Sequence, residues 1–493
     1  MRRTLLAYLI PGVALYLISS GNVAVPIAAW LAPVGLLRFS RAGAPAPGQA
    51  LLFAVILLAT YPMLYGIIPP FLGPLAFALT AYYALLVYLP YLADRLIAPR
   101  LRGFAATLVF PCAATAVDYL AGASLGTWNS AAYTQYGNLP LVQLASVTGM
   151  WGITFLIFWA AAVVNWAWDH KFEPRRVAAG VLVLAAVLGA AHLYGGLRLA
   201  AGGSAAATVP AAAIAESRQD VGATSIFELL QIDPERAVHV SDTLVDDLLA
   251  LSGEAADRGA RLVLWAETVV SVPEAREAAL QARAAALARE RGIYLALAYF
   301  TLPPDFPATP GRNKSVLIGP SGQRLWDYSK ARLVPGAPEI VGDGVIPRVV
   351  TPAGATGTAI CYDMDFPDLI GSAGPTDLML VPAWDWQAID PLHAHMAVFR
   401  AVENGFNMLR ATGEGLSIAC DAHGCTLARM DAFTAGQPKL MLVHLPTRGV
   451  WTFYSVAGDW FPWAALAALA MMAVLAVTGV HRKPASAGCE NPD

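Results

Sequence analysis

Charged residues are scarce in this chain of 493 residues. They make up 14% of the chain, against 57% hydrophobic residues, whereas a soluble globular chain carries about a quarter charged residues. The shortage is uneven, because residues 1–200 contain very few acids while residues 215–440 have the composition of a soluble domain. Two compositions in one chain predict two solvents, lipid for the first part and water for the second.

Other features are missing as well. The net charge is only −3, and there is no basic patch with interleaved aromatic residues, which argues against a nucleic-acid partner. No Gly-x-Gly-x-x-Gly or Walker-type loop occurs, so no nucleotide cofactor is indicated. The cysteines are too few and too scattered for a disulfide scaffold or a zinc ribbon; they are Cys112, Cys361, Cys420, Cys425 and Cys489. We therefore expect no metal and no cofactor.

Two of these cysteines stand close together in the sequence. Cys420 and Cys425 flank Asp-Ala-His-Gly, a turn-like tetrapeptide. They would face each other across a hairpin and form a disulfide in an oxidising compartment, or remain two unpaired thiols. The sequence leaves both alternatives open.

Long apolar runs are present in place of charge. A bilayer core needs roughly 20 apolar residues per helix. A signal peptide is an alternative interpretation of the first run, but six more runs follow it before the soluble half, which favours a membrane bundle. The runs cover residues 4–19, 22–37, 49–69, 70–93, 103–121, 141–168, 176–197 and 461–480.

The basic residues predict the orientation of the bundle. Counted alternately, the connections on one side contain Arg2, Arg3, Arg38, Arg41, Arg95, Arg100, Arg102, Lys171, Arg175, Arg176, Arg482 and Lys483. The short connections on the other side, near 20–22, 67–70 and 120–140, contain no Lys or Arg. Because positive charge stays in the cytoplasm, we expect both termini there and the soluble half on the far side.

Polar residues near the outer membrane surface are of interest too. Asp118 lies at the outer end of the fifth run, and an acid in lipid is a functional candidate by default. Its place near the interface favours a water-exposed carboxylate. The polar and aromatic segment 122–140 is expected to lie at the membrane surface, close to the soluble half.

Strand and helix patterns alternate in the soluble half. Strands are predicted at 209–215, 261–266, 293–300, 314–318, 356–361, 377–382 and 416–420, and helices at 236–252, 272–290 and 390–404. The last helix has Asp390 at its N-cap, Pro391 in its first turn and Gly405 after its end. This alternation predicts an α/β domain with helices on the outer faces of its sheets.

Three motifs in this half carry reactive side chains. Leu-Val-Leu-Trp-Ala-Glu ends at Glu267, Asp-Tyr-Ser-Lys places Lys330 after a probable strand, and Thr-Ala-Ile-Cys-Tyr-Asp places Cys361 at a strand end. A thiol is mostly protonated at neutral pH, but a carboxylate can remove its proton and an ammonium group can stabilise an oxyanion. Together the three can form and break a thioester, although each alone is weak evidence.

The order and context of these residues resemble a known superfamily. Ile-Cys-Tyr-Asp-Met-Asp-Phe-Pro, with Arg-Ala-Val-Glu-Asn-Gly at 400–405, resembles the nitrilase or carbon–nitrogen hydrolase superfamily. Seven spans before such a domain and one after it resemble the apolipoprotein N-acyltransferase family, as do Ser-Val-Thr-Gly-Met-Trp-Gly from Ser146 and Trp-Leu-Ala-Pro-Val-Gly from Trp30. The resemblance implies an α-helical membrane bundle of about eight transmembrane helices plus a nitrilase-like α-β-β-α sandwich.

The resemblance also implies roles for particular residues. Cys361 is expected to be the nucleophile, Glu267 the base and Lys330 the oxyanion-stabilising cation, with the backbone N–H of Tyr362 as a second donor. Glu339 is expected to supply the family's second acid, although it is displaced by a residue. Asp363 stands where the family commonly has Glu. The segments Ala-Thr-Gly-Glu-Gly from Ala411 and Val-Pro-Ala-Trp-Asp-Trp from Val381 also depart from the family pattern.

The implied activity is transfer of an acyl chain from a phospholipid, through a Cys361 thioester, to the amine of a diacylglyceryl-cysteine lipoprotein. The alternatives are a membrane-tethered amidase with water as acceptor, and a non-catalytic homologue, against which the intact triad argues.

The expected domains are a membrane domain over 1–200, a periplasmic catalytic domain over 207–450, a helix over 460–480 and a cytoplasmic tail over 481–493. An apolar lid within 301–345 would favour transfer over hydrolysis. The sequence does not predict the oligomeric state.

Three histidines complete the candidates. His393 and His395 are two residues apart on a predicted helix, so they point to different sides and cannot share a metal ion. We interpret both as structural residues or residues at the rim of the site. His423 lies in a turn and needs no role.

Overall fold

The fold is taken from a computed structural model of the chain. It describes residues 2–19, 24–68, 72–128, 130–202, 207–215, 233–434 and 439–479. The expected tail over 481–493, with Cys489, lies outside the described residues.

The predicted membrane bundle is present, and all eight apolar runs contain a helix. Its long helices are α1 (Arg2–Leu17), α2 (Pro26–Ala42), α3 (Pro45–Leu64), α4 (Pro74–Ile97), α5 (Val109–Leu125), α8 (Trp151–Asp169), α9 (Pro174–Gly202) and α15 (Trp460–Thr478). Two single turns, α6 (Leu139–Val142) and α7 (Ala145–Thr148), precede α8. Within the described ranges, six helices are long and apolar enough to cross a membrane, and α1 and α2 are shorter, at 16 and 17 residues.

The charged connections meet at one end of the bundle. Arg41 at the end of α2 donates to Asp94 of α4 at 2.8 Å, and Arg38 pairs with Asp169 at the end of α8. The Arg95 guanidinium donates to the backbone oxygen of Arg41. The ends of α2, α4 and α8 therefore lie side by side, as the alternation of the spans requires.

The soluble half contains two β-sheets. The first has the order β13-β1-β2-β4-β5-β6, with β3 beside β4, and the second has the order β12-β11-β10-β9-β8-β7. The strands are β1 (Thr208–Ile214), β2 (Leu262–Trp265), β3 (Val270–Pro273), β4 (Tyr294–Leu302), β5 (Arg312–Ile318), β6 (Arg324–Ser329), β7 (Arg348–Thr351), β8 (Gly354–Thr358), β9 (Leu378–Ala383), β10 (Asn407–Thr412), β11 (Leu416–Cys420), β12 (Thr426–Asp431) and β13 (Leu440–Pro446).

The two sheets face each other and the helices cover their outer faces. α10 (Pro234–Asp257) and α11 (Glu274–Arg291) pack on the first sheet, while α13 (Leu392–Asn404) packs on the second and the short helix α12 (Pro367–Gly371) packs against α13. Buried residues of β1, β2, β4, β9 and β10 share one hydrophobic core. The strands are apolar on both faces because one face meets the other sheet and one meets a helix. The predicted α-β-β-α sandwich is confirmed.

Helix α13 differs slightly from its predicted start. It begins at Leu392 with Pro391 as the N-cap residue, so Asp390 is not the cap. Its end is as predicted, because Gly405 follows in the left-handed region with φ of 74°. A Cβ at this position would lie 1.8 Å from the backbone oxygen of Val450, so only glycine fits there.

A buried ion pair joins α13 to the membrane bundle. Arg400 donates to Glu403 Oε1 at 2.9 Å, and the backbone N–H of Met150, just before α8, donates to the same oxygen at 2.8 Å. Both side chains are fully buried. Because an unpaired charge is costly in such a place, this pair fixes the catalytic domain against the bundle.

Replacing Glu403 with alanine should therefore destabilise the protein strongly. The change leaves the Arg400 charge and the Met150 N–H without their partner, and we expect a loss of about 3–5 kcal/mol. Thermal unfolding of the purified protein in detergent micelles measures it. Glu254→Ala is the matched control, since Glu254 pairs with Arg258 at 3.1 Å on the exposed surface of α10 and its loss should cost below about 1 kcal/mol. Equal effects of the two changes would contradict this role.

Candidate active site

Cys361 opens a tight turn directly after strand β8. The 3-10 turn Cys361–Asp365 follows Ile360, and Cys361 itself has a φ of 48°. A residue other than glycine in this region stores on the order of 1–3 kcal/mol of strain, which is typical of functional positions. The side chain is buried, and its thiol donates to the backbone oxygen of Trp384 at 3.5 Å.

Glu267 and Lys330 form a buried ion pair beside this thiol. Glu267 follows β2, Lys330 follows β6, and Lys330 Nζ lies 2.7 Å from Glu267 Oε1. Each side chain is 4% exposed or less. Asn313 of β5 donates to the same carboxylate oxygen at 2.7 Å. Oε1 of Glu267 therefore accepts hydrogen bonds from both Lys330 and Asn313, which fixes the carboxylate. Its other oxygen, Oε2, remains as the second acceptor.

The electrostatics of the site couple these groups. Burial opposes the charged form of Lys330, but the carboxylates of Glu267 and Glu339 outweigh it and hold the lysine pKa well above its ordinary value. Burial raises the pKa of the Cys361 thiol, Glu267 raises it further, and Lys330 opposes this shift. The resting nucleophile is therefore a thiol that needs a base and a cation to react.

Glu339 also reaches the site, despite its displacement in the sequence. Asn313 Nδ2 lies 3.4 Å from both Glu339 carboxylate oxygens, so this amide lies between the two glutamates. The backbone of the Glu339 loop is held to Gly311 by the bond from Ile340 N at 2.8 Å. Burial raises the pKa of Glu339, while Lys330 lowers it. Glu339 thus shares the Asn313 amide with Glu267 and lies close enough to Lys330 for the lysine charge to affect it.

Asp363 ties the nucleophile turn to the lysine loop. Its Oδ2 accepts from the Ile360 N–H and the Tyr328 hydroxyl, each at 2.9 Å, and its Oδ1 accepts from the N–H groups of Ala331 and Arg332 at 3.1 and 2.7 Å. Burial raises its pKa to about 6. Asp363 therefore positions Cys361 relative to Lys330.

His393 lies beside the Cys361 sulfur, and of the two alternatives from the sequence, a structural residue or a residue at the rim, its burial favours the structural one. It is fully buried on α13, and its Nδ1 is 2.6 Å from Asp385 Oδ1. An imidazole nitrogen, the Cys361 sulfur and an Asp385 oxygen lie within 4.8 Å of one another. His395 points elsewhere and stacks on Tyr136 with ring centroids 3.7 Å apart. The helical spacing separates the two histidines as expected, but no sequence signal marks His393 as a neighbour of the sulfur.

Cys361, Asp385 and His393 are residue types that can bind Zn²⁺. Within the described ranges, they form the one group of three such side chains that lie close enough together to hold a metal ion. Its carboxylate is already occupied, because Arg410 Nη2 donates to both Asp385 oxygens at 2.8 and 3.0 Å and His393 bonds to Oδ1. The Arg410 guanidinium and the His393 imidazole hold the Asp385 pKa at about 2 against the effect of burial. These contacts favour an ion-pair cluster over a metal site.

The membrane half supplies one wall of the site. The ring of Trp128, from the predicted interfacial segment, stacks on His393 with centroids 5.1 Å apart and faces Trp386 at 6.5 Å. The Tyr362 hydroxyl donates to the backbone oxygen of Leu125 at 2.7 Å. Thr127 N donates to the backbone oxygen of Asp365 at 3.1 Å. The prediction that segment 122–140 lies close to the catalytic domain is confirmed.

The two neighbouring cysteines are unpaired. Cys420 is buried, Cys425 is half-buried, and both thiols are free. Of the two alternatives for this hairpin, the structure has the unpaired one.

Comparison with known proteins matches both halves of the chain. Residues 230–448 match the carbon-nitrogen hydrolase model, and residues 12–163 match the apolipoprotein N-acyltransferase N-terminal domain. The chain belongs to the apolipoprotein N-acyltransferase family. The family member of Geobacter metallireducens is 27% identical over an alignment of 406 residues, and the match covers 74% of this chain and 73% of that relative. The member of Bradyrhizobium diazoefficiens is 26% identical over an alignment of 426 residues, and the match covers 77% of this chain and 75% of that relative.

This apolipoprotein N-acyltransferase family member is also similar to a protein of known structure. An amidase from Nesterenkonia sp. is 22% identical, with a TM-score of 0.40, and the match covers 50% of this chain and 92% of the amidase.

Two departures from the family pattern have a structural explanation. Val-Pro-Ala-Trp-Asp-Trp from Val381 contains Asp385, and the segment from Ala411 directly follows Arg410 of β10. Asp385 and Arg410 form the buried pair that holds His393. The departures thus lie around one ion-pair cluster.

Asn313 is the residue of this site that sequence reasoning missed and that is simplest to test. Asn313→Ala removes the donor shared by Glu267 and Glu339, so the two carboxylates lose their bridge. We expect acylation of Cys361 by a small activated ester to slow by about 10–100-fold, because a misplaced base loses most of its effect. Stopped-flow release of the leaving group measures the rate. Gln323→Ala, in the turn at the far end of β5, is the control; equal rates in the two variants would contradict the bridge.

Proposed function

We propose that this protein is an N-acyltransferase that moves a fatty acyl chain from a phospholipid, through a thioester on Cys361, to the N-terminal amine of a diacylglyceryl-cysteine lipoprotein. The curated relatives carry the name apolipoprotein N-acyltransferase. The observation that carries the proposal is the position of the Cys361 turn. One side of it meets the ion pair of Glu267 and Lys330, and the other is bonded to the membrane half at Leu125 and Thr127.

The chemistry follows from this arrangement. Glu267 takes the thiol proton, and the sulfur attacks the ester carbonyl of the phospholipid. Lys330 and the Tyr362 N–H stabilise the oxyanion, and Glu267 returns the proton to the departing lysophospholipid oxygen. The amine of the acceptor then attacks the thioester, and the thiolate leaves. Each step needs only groups already present around the sulfur.

The orientation of the chain is part of the proposal. The basic connections gather at the end of the bundle where Arg38 and Arg41 pair with Asp169 and Asp94. The catalytic domain contacts the opposite end, for example through the bond from Trp386 Nε1 to the Gly66 oxygen at 2.6 Å. With positive charge in the cytoplasm, both termini are cytoplasmic and the catalytic domain is periplasmic, at the surface of the bacterial inner membrane.

Exposed aromatic residues support contact between the catalytic domain and lipid. Trp451 and Phe453 precede the last membrane helix, and Trp460 and Trp463 follow in its first turn; all four are exposed. Tryptophan and other aromatic rings are favoured at the headgroup level of a bilayer. The loop after Lys330 also exposes Val341 and Val345, which is the kind of apolar surface that a lid within 301–345 would present to lipid.

A cavity in the membrane half fits an acyl chain. It is a partly open cleft with about 870 Å³ of empty space, its opening to solvent included, and its wall includes Ala32, Ala114, Gly126 and Phe158. Gly126 lies against the Cβ of Asp365, in the turn that begins at Cys361. The cavity thus extends to the segment of the membrane half that contacts the nucleophile turn, and we infer that the acyl chain of the donor occupies it.

Asp118 provides a polar point on the wall of this cavity. Its Oδ2 accepts from the hydroxyls of Ser130 at 2.6 Å and Thr154 at 3.0 Å. It is half-buried, so it is still partly accessible, as expected for a carboxylate near the interface. We assign it to the outer, headgroup end of the cavity.

The alternative function is that of a membrane-tethered amidase with the same triad and water as acceptor. The ring wall of Trp128 and Trp386 and the apolar cavity favour a lipid donor and limit access of water to the thioester. An amidase acting on small soluble amides has no use for such a cavity.

Mass spectrometry of the purified protein after incubation with phospholipid tests the proposed function. We expect an added acyl mass on the peptide containing Cys361, discharged by a diacylated lipopeptide and only slowly by water. Cys361→Ala should fold and insert in the membrane but carry no adduct. Turnover by the alanine variant would contradict the nucleophile, and rapid discharge by water alone would favour the hydrolase.

Filling the cavity should shorten the acyl chain that the enzyme accepts. Ala114→Phe adds a ring to the cavity wall, and we expect about tenfold slower acylation from long-chain phospholipids with little change for short-chain ones, because overpacking costs about 1–3 kcal/mol. Rates from a series of phospholipids of increasing chain length measure the effect. Ala185→Phe, on the exposed face of α9, is the control. An unchanged chain-length profile for Ala114→Phe would place the acyl chain elsewhere.

A further inference from the structure

Beyond the three predicted residues, we propose that His393, held as an imidazolium between Asp365 and Asp385, is the charge partner of the Cys361 sulfur and stabilises its thiolate. The inference rests on the proposed function only in taking Cys361 as the nucleophile. His393 would be a second cation beside the sulfur, in addition to Lys330. The two come from different elements, since His393 lies on α13 and Lys330 follows β6.

The geometry holds the imidazole in one orientation. His393 Nδ1 bonds to Asp385 Oδ1 at 2.6 Å, and His393 Nε2 lies 3.3 Å from Asp365 Oδ1. The ring plane is fixed by stacking on Trp128 at an interplanar angle of 22°. An imidazole nitrogen also lies within 4.8 Å of the Cys361 sulfur. The ring is therefore clamped by two acids while it faces the nucleophile.

The charges of the cluster require a cation at His393. Asp385 is already neutralised by Arg410, which contacts both of its oxygens. Asp365 is fully buried, and neither of its carboxylate oxygens has a hydrogen-bond partner among the described residues. A buried carboxylate without a counter-charge is costly. The His393 imidazole is the group placed to balance Asp365.

The direction of its titration agrees with this assignment. Burial opposes the charged form of His393, but Asp365 and Asp385 outweigh it, so its pKa lies well above the ordinary histidine value. The charged groups that face it are Asp365 and Cys361 of the 3-10 turn, Asp385 after β9 and Arg410 of β10. An imidazolium persists at neutral pH and lowers the pKa of the thiol against the effect of burial.

This cation acts in both halves of the reaction. In the first, the thiol proton moves to Glu267, and the thiolate forms between the Lys330 and His393 cations before the sulfur–carbon bond forms. In the second, the amine nitrogen forms the amide bond and the carbon–sulfur bond breaks. The departing thiolate is stabilised by His393, while the amine proton passes to Glu267 and from there to the sulfur. His393 keeps its proton throughout.

Alkylation of Cys361 tests the inference without any lipid substrate. The full-length protein in detergent is treated with iodoacetamide across a range of pH, and the modified peptide is quantified by mass spectrometry. His393→Gln should slow alkylation at neutral pH by about tenfold and move the midpoint of the pH profile upward by about one unit, because a cation at this distance lowers a pKa by about 1–3 units. His395→Gln, two residues away and stacked on Tyr136, should leave the profile unchanged.

Superimposable profiles for the wild type and His393→Gln would overturn the inference. If the variant fails to fold, the pH dependence of hydrogen exchange at the ring carbon of His393 in the wild-type protein decides instead. A midpoint above 6.5 is expected, and one at or below 6.5 would overturn the proposal. Because neither measurement involves acyl transfer, a protein that alkylates as expected but transfers no acyl chain would contradict the proposed function and leave this inference standing.

Discussion

The buried ion pair between Glu267 and Lys330 is the interaction on which the site depends. Its two charges, with Nζ and Oε1 2.7 Å apart, lie beside a thiol whose pKa is raised by burial. Water would supply the same stabilisation in an exposed site, but it would also hydrolyse a thioester. A dry site therefore has to provide its own base and its own cation. The sandwich does this by bringing the ends of β2, β6 and β8 together, and Asp363 locks two of these segments to each other.

A second constraint is that the dry site must open to lipid. The turn after Cys361 is bonded to the membrane half at Leu125 and Thr127, and the aromatic wall includes Trp128 from the same segment. The buried pair of Arg400 and Glu403 fixes α13 against the start of α8. The membrane helices are thus a structural part of the active site, because they supply its wall and the cavity beneath it.

Sequence reasoning predicted most of what local chemistry determines. The eight apolar runs and an α/β domain with helices outside its sheets follow from hydropathy and alternation, whereas the sandwich and the grouping of Glu267, Lys330 and Cys361 were implied by the family resemblance of short motifs. Strand β10 was missed because Arg410 interrupts its apolar pattern, and this arginine is buried only because Asp385 neutralises it. The position of His393 beside the sulfur was not predicted for a related reason: its neighbours come from four separate segments, including Trp128 of the membrane half. Such contacts depend on tertiary packing, which no spacing in the chain reveals.

The central claim is that acyl transfer passes through Cys361. Single-turnover kinetics test it most directly, with labelled phospholipid and lipopeptide mixed with excess enzyme and quenched at successive times. The account predicts that acylated Cys361 rises before the triacylated lipopeptide and decays at the rate at which that product forms. Product that appears without any acyl chain on Cys361, or faster than the thioester decays, would contradict it.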